Sequence, residues 1–437
     1  MNMLISGRLT RRQFLALTAL AAGTAACSPP PSRQILTLWH PLTGERERVL
    51  LDLIDQWNRG NPAGAIVTPE RRDAAAMRSA VLNGVNGGNR RALPNLLLVS
   101  PSQAIVYHRQ GVLATLDTYV NHGDSAIGWS AGDRSDLYPF VLQAGRLTSA
   151  EGELIGIPFG GVARVLFANR DWLRSINFET LPADWEQFSA VCTSATDRSK
   201  GTLCFGAETS SAVFEEWLYA HGGALVEQNN RVAQLATPSA EQALNRLTEF
   251  LRNNLAYRVG SPRQSRDDFT AGRVIFAFDW SDQIEIYRSL IQERANFDWQ
   301  IGLLPTTGST GRTVFRAPLW VITRTDEERQ LAAWQFIRWL MDTPQTAKWA
   351  ARTGELPARV SAIINLESQM SNAAWLALLK TIAPLAQPEP LIDGWECVQD
   401  ALVNSLRQVF EGRPASEALQ AAQSTAQQMI DSGCSLQ

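Results

Sequence analysis

Residues 35 to 99 alternate between two hydrophobic periods, and this alternation restricts the topology more than any other feature of the chain. Ile35-Leu36-Thr37-Leu38-Trp39 is an apolar run of strand length, after which Val49, Leu50, Leu53, Ile54 and Trp57 recur at helical spacing until Gly60-Asn61-Pro62 stops the helix. Ala65-Ile66-Val67-Thr68 reads as the next strand, Ala74 to Leu82 as a helix, 83 to 89 as a Gly/Asn loop and Leu96-Leu97-Leu98-Val99 as a third strand. Strands joined by helical crossovers run parallel, so an α/β fold around a mainly parallel sheet is expected. In open sheets of this kind ligands sit beyond the carboxyl ends of the strands. Here those ends are Trp39-His40, Glu70 and Ser100-Pro101-Ser102, which should face one cleft.

The remainder predicts a second α/β unit, since 437 residues, 45% of them apolar, exceed one ordinary domain. Ile155-Gly156-Ile157, Val165 to Ala168, Val274 to Phe278 and Val321-Ile322 read as strands. Trp185 to about Phe250 reads as helix with brief breaks, Arg329 to Met341 as a helix, and the chain beyond Thr346 as helices separated by glycine and proline. No internal repeat is evident.

Arg8, Arg11 and Arg12 precede a 13-residue apolar run, Phe14 to Ala26, which is short of the roughly 20 residues that cross a bilayer and has the layout of a secretory signal. TRRQFL resembles a twin-arginine export signal, and TAAC, ending at Cys27, resembles a lipobox with Thr24 in place of the usual leucine. The expectation is export to the periplasm or cell surface, residues 1–27 being a signal peptide with lipobox, Cys27 a lipid anchor in the membrane, and the proline-rich 28–34 a linker.

Removing the three arginines of residues 1–27 from the 40 basic residues leaves 37 against 43 acidic ones, which argues against a nucleic-acid partner. In an oxidising compartment Cys192 and Cys204 are the disulfide candidate, closing a short polar loop, with Cys397 and Cys434 remaining. The cysteine spacings fit no zinc motif and only four histidines exist, so neither a metal nor another cofactor is expected. Nucleophile-elbow, zincin, P-loop and dinucleotide motifs are missing from the chain, and the adjacent Glu215-Glu216 point about 100° apart on a helix, which is wrong for a glycosidase pair.

Tryptophan is the abundant chemical group, with fourteen copies. Aromatic faces pack on the C–H faces of sugar rings while acids, amides and hydroxyls hydrogen-bond the sugar oxygens. Trp57, Trp334, Trp339 and Trp349 sit at helical positions among apolar neighbours and read as core; Trp39, Trp280, Trp320 and Trp395 lie near segment ends and read as ligand contacts.

Several segments, in order, resemble extracellular solute-binding proteins (family 1) of carbohydrate ABC importers, the group that includes maltose- and glycerol-3-phosphate-binding proteins. They are LTLWHPLTG (36–44), LPNLLLVSPS (93–102), GELIGIPFGGVARVLFANRDWL (152–173), LPADWEQF (181–188), DDFTAGRVIFAFDWSDQI (267–284), WAARTGELP (349–357) and VFEGRPASEAL (409–419). The resemblance implies a two-lobed periplasmic-binding-protein fold (type II), with lobe 1 at 35–160 and 305–342, lobe 2 at 161–304 and 343–437, and a ligand cleft between them. Three hinge crossings are implied near 158–164, 302–307 and 341–346. It places Trp39, His40, Glu70, Ser100 and Ser102 on the first lobe's rim, and Ser211, Asp279, Trp280 and Glu355 on the second's.

Glycerol-phosphate binders have tyrosine where this chain has Glu355 and arginine near Gln399, and a carboxylate gained with a cation lost disfavours a phosphate ligand. The implied function is therefore capture of a neutral sugar or polyol by a monomer that delivers it to a two-subunit permease with its ATPase. The alternatives are a glycerol-3-phosphate or glycerophosphodiester receptor, a sensor, or a lipid-anchored glycan-degrading enzyme. Mass spectrometry of the mature protein should find its N-terminus at Cys27 carrying a diacylglyceryl thioether; an unmodified terminus elsewhere would show simple cleavage.

Overall fold

The computed structural model describes residues 34–61, 63–149, 151–227, 231–308, 311–367 and 373–434. The signal segment, Cys27 and all of the linker except Gln34 lie outside these residues. Among the described residues no helix is long and apolar enough to cross a membrane.

The first sheet forms as the alternating periods require. β1 (Ile35–His40) pairs in parallel with β2 (Ile66–Arg71) on one side and β3 (Leu96–Val99) on the other. The intervening helices Gly44–Gly60 and Ala74–Asn86 bury Val49, Leu50, Leu53, Ile54 and Trp57, and Met77 and Val81. Asp73 caps the second of these through its side chain, and Ser100 with Gln103 forms a capping box on the helix Pro101–Arg109.

The second sheet is organised around β4 (Gly160–Asn169), followed in the chain by β5 (Phe205–Glu208), β6 (Ala256–Val259), β7 (Phe276–Trp280), β8 (Trp299–Gly302) and β9 (Thr313–Arg316). Next come β10 (Leu319–Ile322), β11 (Leu356–Pro357) and β12 (Ala386–Pro388). β4 pairs antiparallel with β11 and β9 along its first half and with β7 and β8 along its second. β12 lies parallel to β9, and β5 with β6 forms a separate parallel pair. β5 and β6 frame helices: Phe205–Glu208 interrupts the stretch read as helical from Trp185 to Phe250, its four residues being too few to show a period of two.

β10 returns to the first sheet, antiparallel to β3, and Trp320 exchanges backbone hydrogen bonds with Ile157 just before β4 begins. The chain thus passes between sheets at 158–159, and again at Ala317–Pro318. The second passage lies later than the expected 302–307, because β9 stays in the second sheet up to Arg316. The helix Thr343–Thr353, assigned from sequence to the second lobe, packs on the first lobe's Gly44–Gly60 helix through Lys348–Asp52 and Arg352–Glu45 ion pairs. Gly354, whose φ of 72° suits glycine, ends that helix, and the chain beyond it is still tied to the first lobe by Arg359 with Asp133 and Asp136 and by the Tyr138 hydroxyl donating to the Leu379 carbonyl, so 341–346 is not where it leaves that lobe.

Cys192–Cys204 and Cys397–Cys434 are disulfide-bonded in the structure, with Cα atoms 4.8 and 6.0 Å apart. Trp57, 2% exposed, packs edge-on against Phe336 and beside Trp339, joining two helices over the first sheet. Trp57→Ala should cost about 3–5 kcal/mol of unfolding free energy, read from urea denaturation followed by circular dichroism; a loss below about 1 kcal/mol would show that this contact is not part of the core.

Candidate functional site: a cavity between the two sheets

A cavity of about 770 Å³ lies where the two sheets face each other. Its first wall is built by the three βα turns at the carboxyl ends of the parallel strands. Pro41, Leu42 and Arg46 follow β1, Ala74, Ala75 and Arg78 open the next helix, and Val99 to Gln103 with Ile105 follow β3. The floor lies beside the sheet-to-sheet passages, with Gly161 and Val162 at the start of β4 and Phe315 to Pro318 running from the end of β9 into the second passage. The second wall is Glu355, Pro388-Glu389-Pro390, and Trp395, Glu396 and Gln399 on the first turns of the helix Trp395–Phe410.

The floor is tightly specified. A Cβ on Gly161 would fall 2.3 Å from the Phe315 ring and 2.7 Å from the Arg316 carbonyl oxygen, so only glycine lets β4 and β9 approach to their observed spacing.

Charge in the cavity is paired at its two ends. Arg46 donates to Glu355 at 2.6 Å and to Asp282 at 2.8 Å, linking a helix of the first lobe to the turn after β7 and to the turn after Thr353. Glu355 also accepts from the Trp349 indole at 2.8 Å. Burial raises the Glu355 carboxyl above its ordinary range despite the opposing pull of Arg46. Arg316 donates to Ser211 at 2.9 Å and to Glu215 at 3.1 Å, and also pairs with Glu389, which accepts from Gln399. Burial first, then the neighbouring Glu389, push Glu215 up to about 8. Arg78 and Glu396, on opposite walls, make no ion pair among the described residues.

Of the residues singled out from sequence, Ser100, Ser102, Glu355 and Trp395 line this cavity. Ser211 and Trp280 touch it at one remove: Ser211 accepts from Arg316, and the Trp280 ring lies 5.4 Å from both the Arg316 and Arg164 guanidinium carbons. The other five are placed elsewhere. Trp39 is buried beneath Arg72, 3.7 Å above its ring, and His40 is 1% exposed, with burial lowering its pKa. Glu70 pairs with Arg72 at the surface. Trp320 is core, edge-on to Phe336, because β10 is covered by the helix Glu327–Leu340. Asp279 accepts from Tyr287 and from the Trp280 amide inside the second lobe, where burial pushes it up to about 6.

Sequence reading missed Arg46, Arg78, Arg316 and Glu389. Arg46 and Arg78 lie in the first two turns of the helices that follow β1 and β2, a position that could have marked them; Arg316 and Glu389 are brought together by the β9–β12 pairing. Among the described residues no group of three His, Cys, Asp or Glu side chains is arranged to hold a metal ion.

Residues 64–375 match the family model of the bacterial extracellular solute-binding proteins. The sn-glycerol-3-phosphate-binding periplasmic protein UgpB of Shigella flexneri serotype 5b is 22% identical, with 78% of each chain covered. In structure, the cyclic α-maltosyl-1,6-maltose binding protein of Arthrobacter globiformis superposes with a TM-score of 0.78 at 15% identity, over 92% of this chain and all of that one. The sugar-binding protein MalE of Xanthomonas citri gives 0.75 at 17% identity, over 91% and 98%. The fold is therefore the two-lobed α/β architecture of these binding proteins, and the chain belongs to the bacterial extracellular solute-binding proteins, which capture solutes for ABC transporters and are not enzymes.

Proposed function

We propose that this chain is the substrate-binding lipoprotein of an ABC importer, anchored through Cys27 outside the cytoplasmic membrane, where it captures a neutral sugar or polyol as a monomer and delivers it to the permease. The carrying observation is the interlobe cavity. It is large enough for a sugar, walled by Trp395 on one side and by the Ser100–Ser102 turn on the other, and its arginines at 46 and 316 are already neutralised by carboxylates. Among the described residues lining the cavity, a phosphate would find Arg78 as the one cation without an ion pair, whereas sugar hydroxyls would find donors and acceptors of both kinds. Trp395 offers an apolar face, and its buried indole N–H has no partner among the described residues, a group expected to bond to something.

Closure would occur about the passages at 158–159 and 317–318, which leave each sheet intact. The ligand contributes only its preference for the closed arrangement. Ser100, Ser102, Glu355 and Trp395 serve as direct contacts in this reading. Tethering raises the local concentration of loaded protein at the permease.

A thermal-shift screen over mono-, di- and trisaccharides, polyols, glycerol-3-phosphate and glycerophosphodiesters should give a neutral sugar or polyol that raises the melting temperature in proportion to ln(1 + [L]/Kd), without being consumed. A shift given only by the phosphorylated compounds would replace this reading with the phosphate one, and hydrolysis of the bound sugar would remove it. With the sugar that binds, Trp395→Ala should weaken affinity about tenfold or more, roughly 1.4 kcal/mol, by fluorescence titration. Trp320→Phe, altered only in the core, should leave the affinity within about twofold.

A further inference from the structure

Behind the second wall of the cavity, Glu215 is fully buried on the helix Ser211–Ala220 and does not reach the cavity itself, while Glu389 does. Both carboxyl groups meet the same Arg316 nitrogen, Glu215 at 3.1 Å and Glu389 at 2.5 Å, and the second Glu215 oxygen is buried without a hydrogen-bond partner among the described residues. The groups facing them are Arg316 from β9, Ser211 and Tyr219 from the same helix as Glu215, and Gln399 from the helix Trp395–Phe410. Arg312, from the segment before β9, lies over the Tyr219 ring. One guanidinium thus meets two carboxyls that burial disfavours as anions, and a single positive charge can balance only one of them, which favours a proton on the other. With that proton the trio is electrically neutral. Without it a negative charge is stranded in the interior, a state that burial penalises heavily.

We propose that Glu215 is a positioning residue of the binding cleft: by sharing one proton with Glu389 it holds Arg316, one residue before the Ala317–Pro318 passage, in place at the cavity's edge. This assignment rests on the cleft being the binding site, but its chemistry is that of the unliganded chain. Arg316 is held by Ser211 Oγ, Glu215 and Glu389 at once, with the Trp280 ring beside it. Losing the proton makes two carboxylates compete for a single guanidinium, and the passage strand and the Pro388–Pro390 segment are the parts of the structure joined to that competition.

The titration has a definite sign. A carboxyl held protonated in the folded chain and ionised in the unfolded chain gives stability that is complete below the ordinary glutamate value near 4.5 and is lost as pH rises to about 8. The dyad titrates as a pair, so one proton is at issue rather than one per residue.

The experiment measures melting temperature against pH from 5 to 9 for unliganded wild type, Glu215→Gln, Glu389→Gln and the double variant. Each single glutamine leaves one carboxylate for Arg316, so it should flatten the pH dependence, gaining at least about 2 °C on wild type between pH 5 and pH 9. The double variant should flatten it by the same amount and no more, because only one proton is shared. Slopes unchanged in the single variants, or a double effect twice the single, overturn the proposal. Maltose, maltotriose and sorbitol then serve as ligand probes. The tightest binder should lose affinity in wild type as pH rises through 8 and keep it in Glu215→Gln, and equal loss in both overturns the positioning role. If none of the sugars or polyols in the preceding screen binds, the sugar reading falls while the unliganded result still decides the dyad.

Discussion

β4 takes backbone hydrogen bonds from β11, β9, β7 and β8, so four separate stretches of chain depend on ten residues for their placement. The strand begins three residues after Ile157 has bonded to the edge of the first sheet. One covalent run therefore serves as the margin of one sheet and the spine of the other. Its interior side chains divide accordingly: Val165 and Phe167 join one apolar cluster, Leu166 and Ala168 the other. Arg164, between them in register and fully buried, is tolerable only because Glu208 and Glu216 meet it at 3.2 and 3.3 Å.

The cavity inherits its character from this arrangement. Parallel strands of the first sheet end at its rim, so helix starts and their capping residues form one wall. The other wall has no strand ends of that kind and is assembled from a short edge strand, two prolines flanking Glu389, and a helix start held by the Cys397–Cys434 bond. Arg46 at one end and Arg316 at the other each engage two carboxylates. Between those paired charges the lining is mainly apolar, from Leu42, Val99, Ile105, Phe315 and Trp395, with a few placed polar groups.

Much of the fold was legible in residues 35–99 because a period of 3.6 and a continuous apolar run are distinguishable over such lengths. The second sheet was less so: β5, β11 and β12 span four, two and three residues, too short to carry a period. The site divided along the same line. Ser100 and Ser102 follow directly from their position at a strand end, whereas Glu355 came from the family resemblance of the WAARTGELP segment. Trp320, at an equally suggestive position, went to the core because the helix Glu327–Leu340 claimed that face of the sheet, and Trp39 is buried beneath Arg72. Arg316 and Glu389 are 73 residues apart in sequence and meet through the pairing of β9 with β12, a contact that no local pattern announces.

The glycine at 161 has a consequence for how such a receptor can diversify. Any side chain there drives β4 off Phe315, so the depth of the cavity is set by backbone-to-ring contact rather than by a replaceable side chain. Changes of ligand must then be written into the walls, at 74–78, 99–105 and 388–399. A library confined to those positions explores new solutes on an unaltered chassis, whereas one that includes the floor spends its members on chains whose lobes no longer meet.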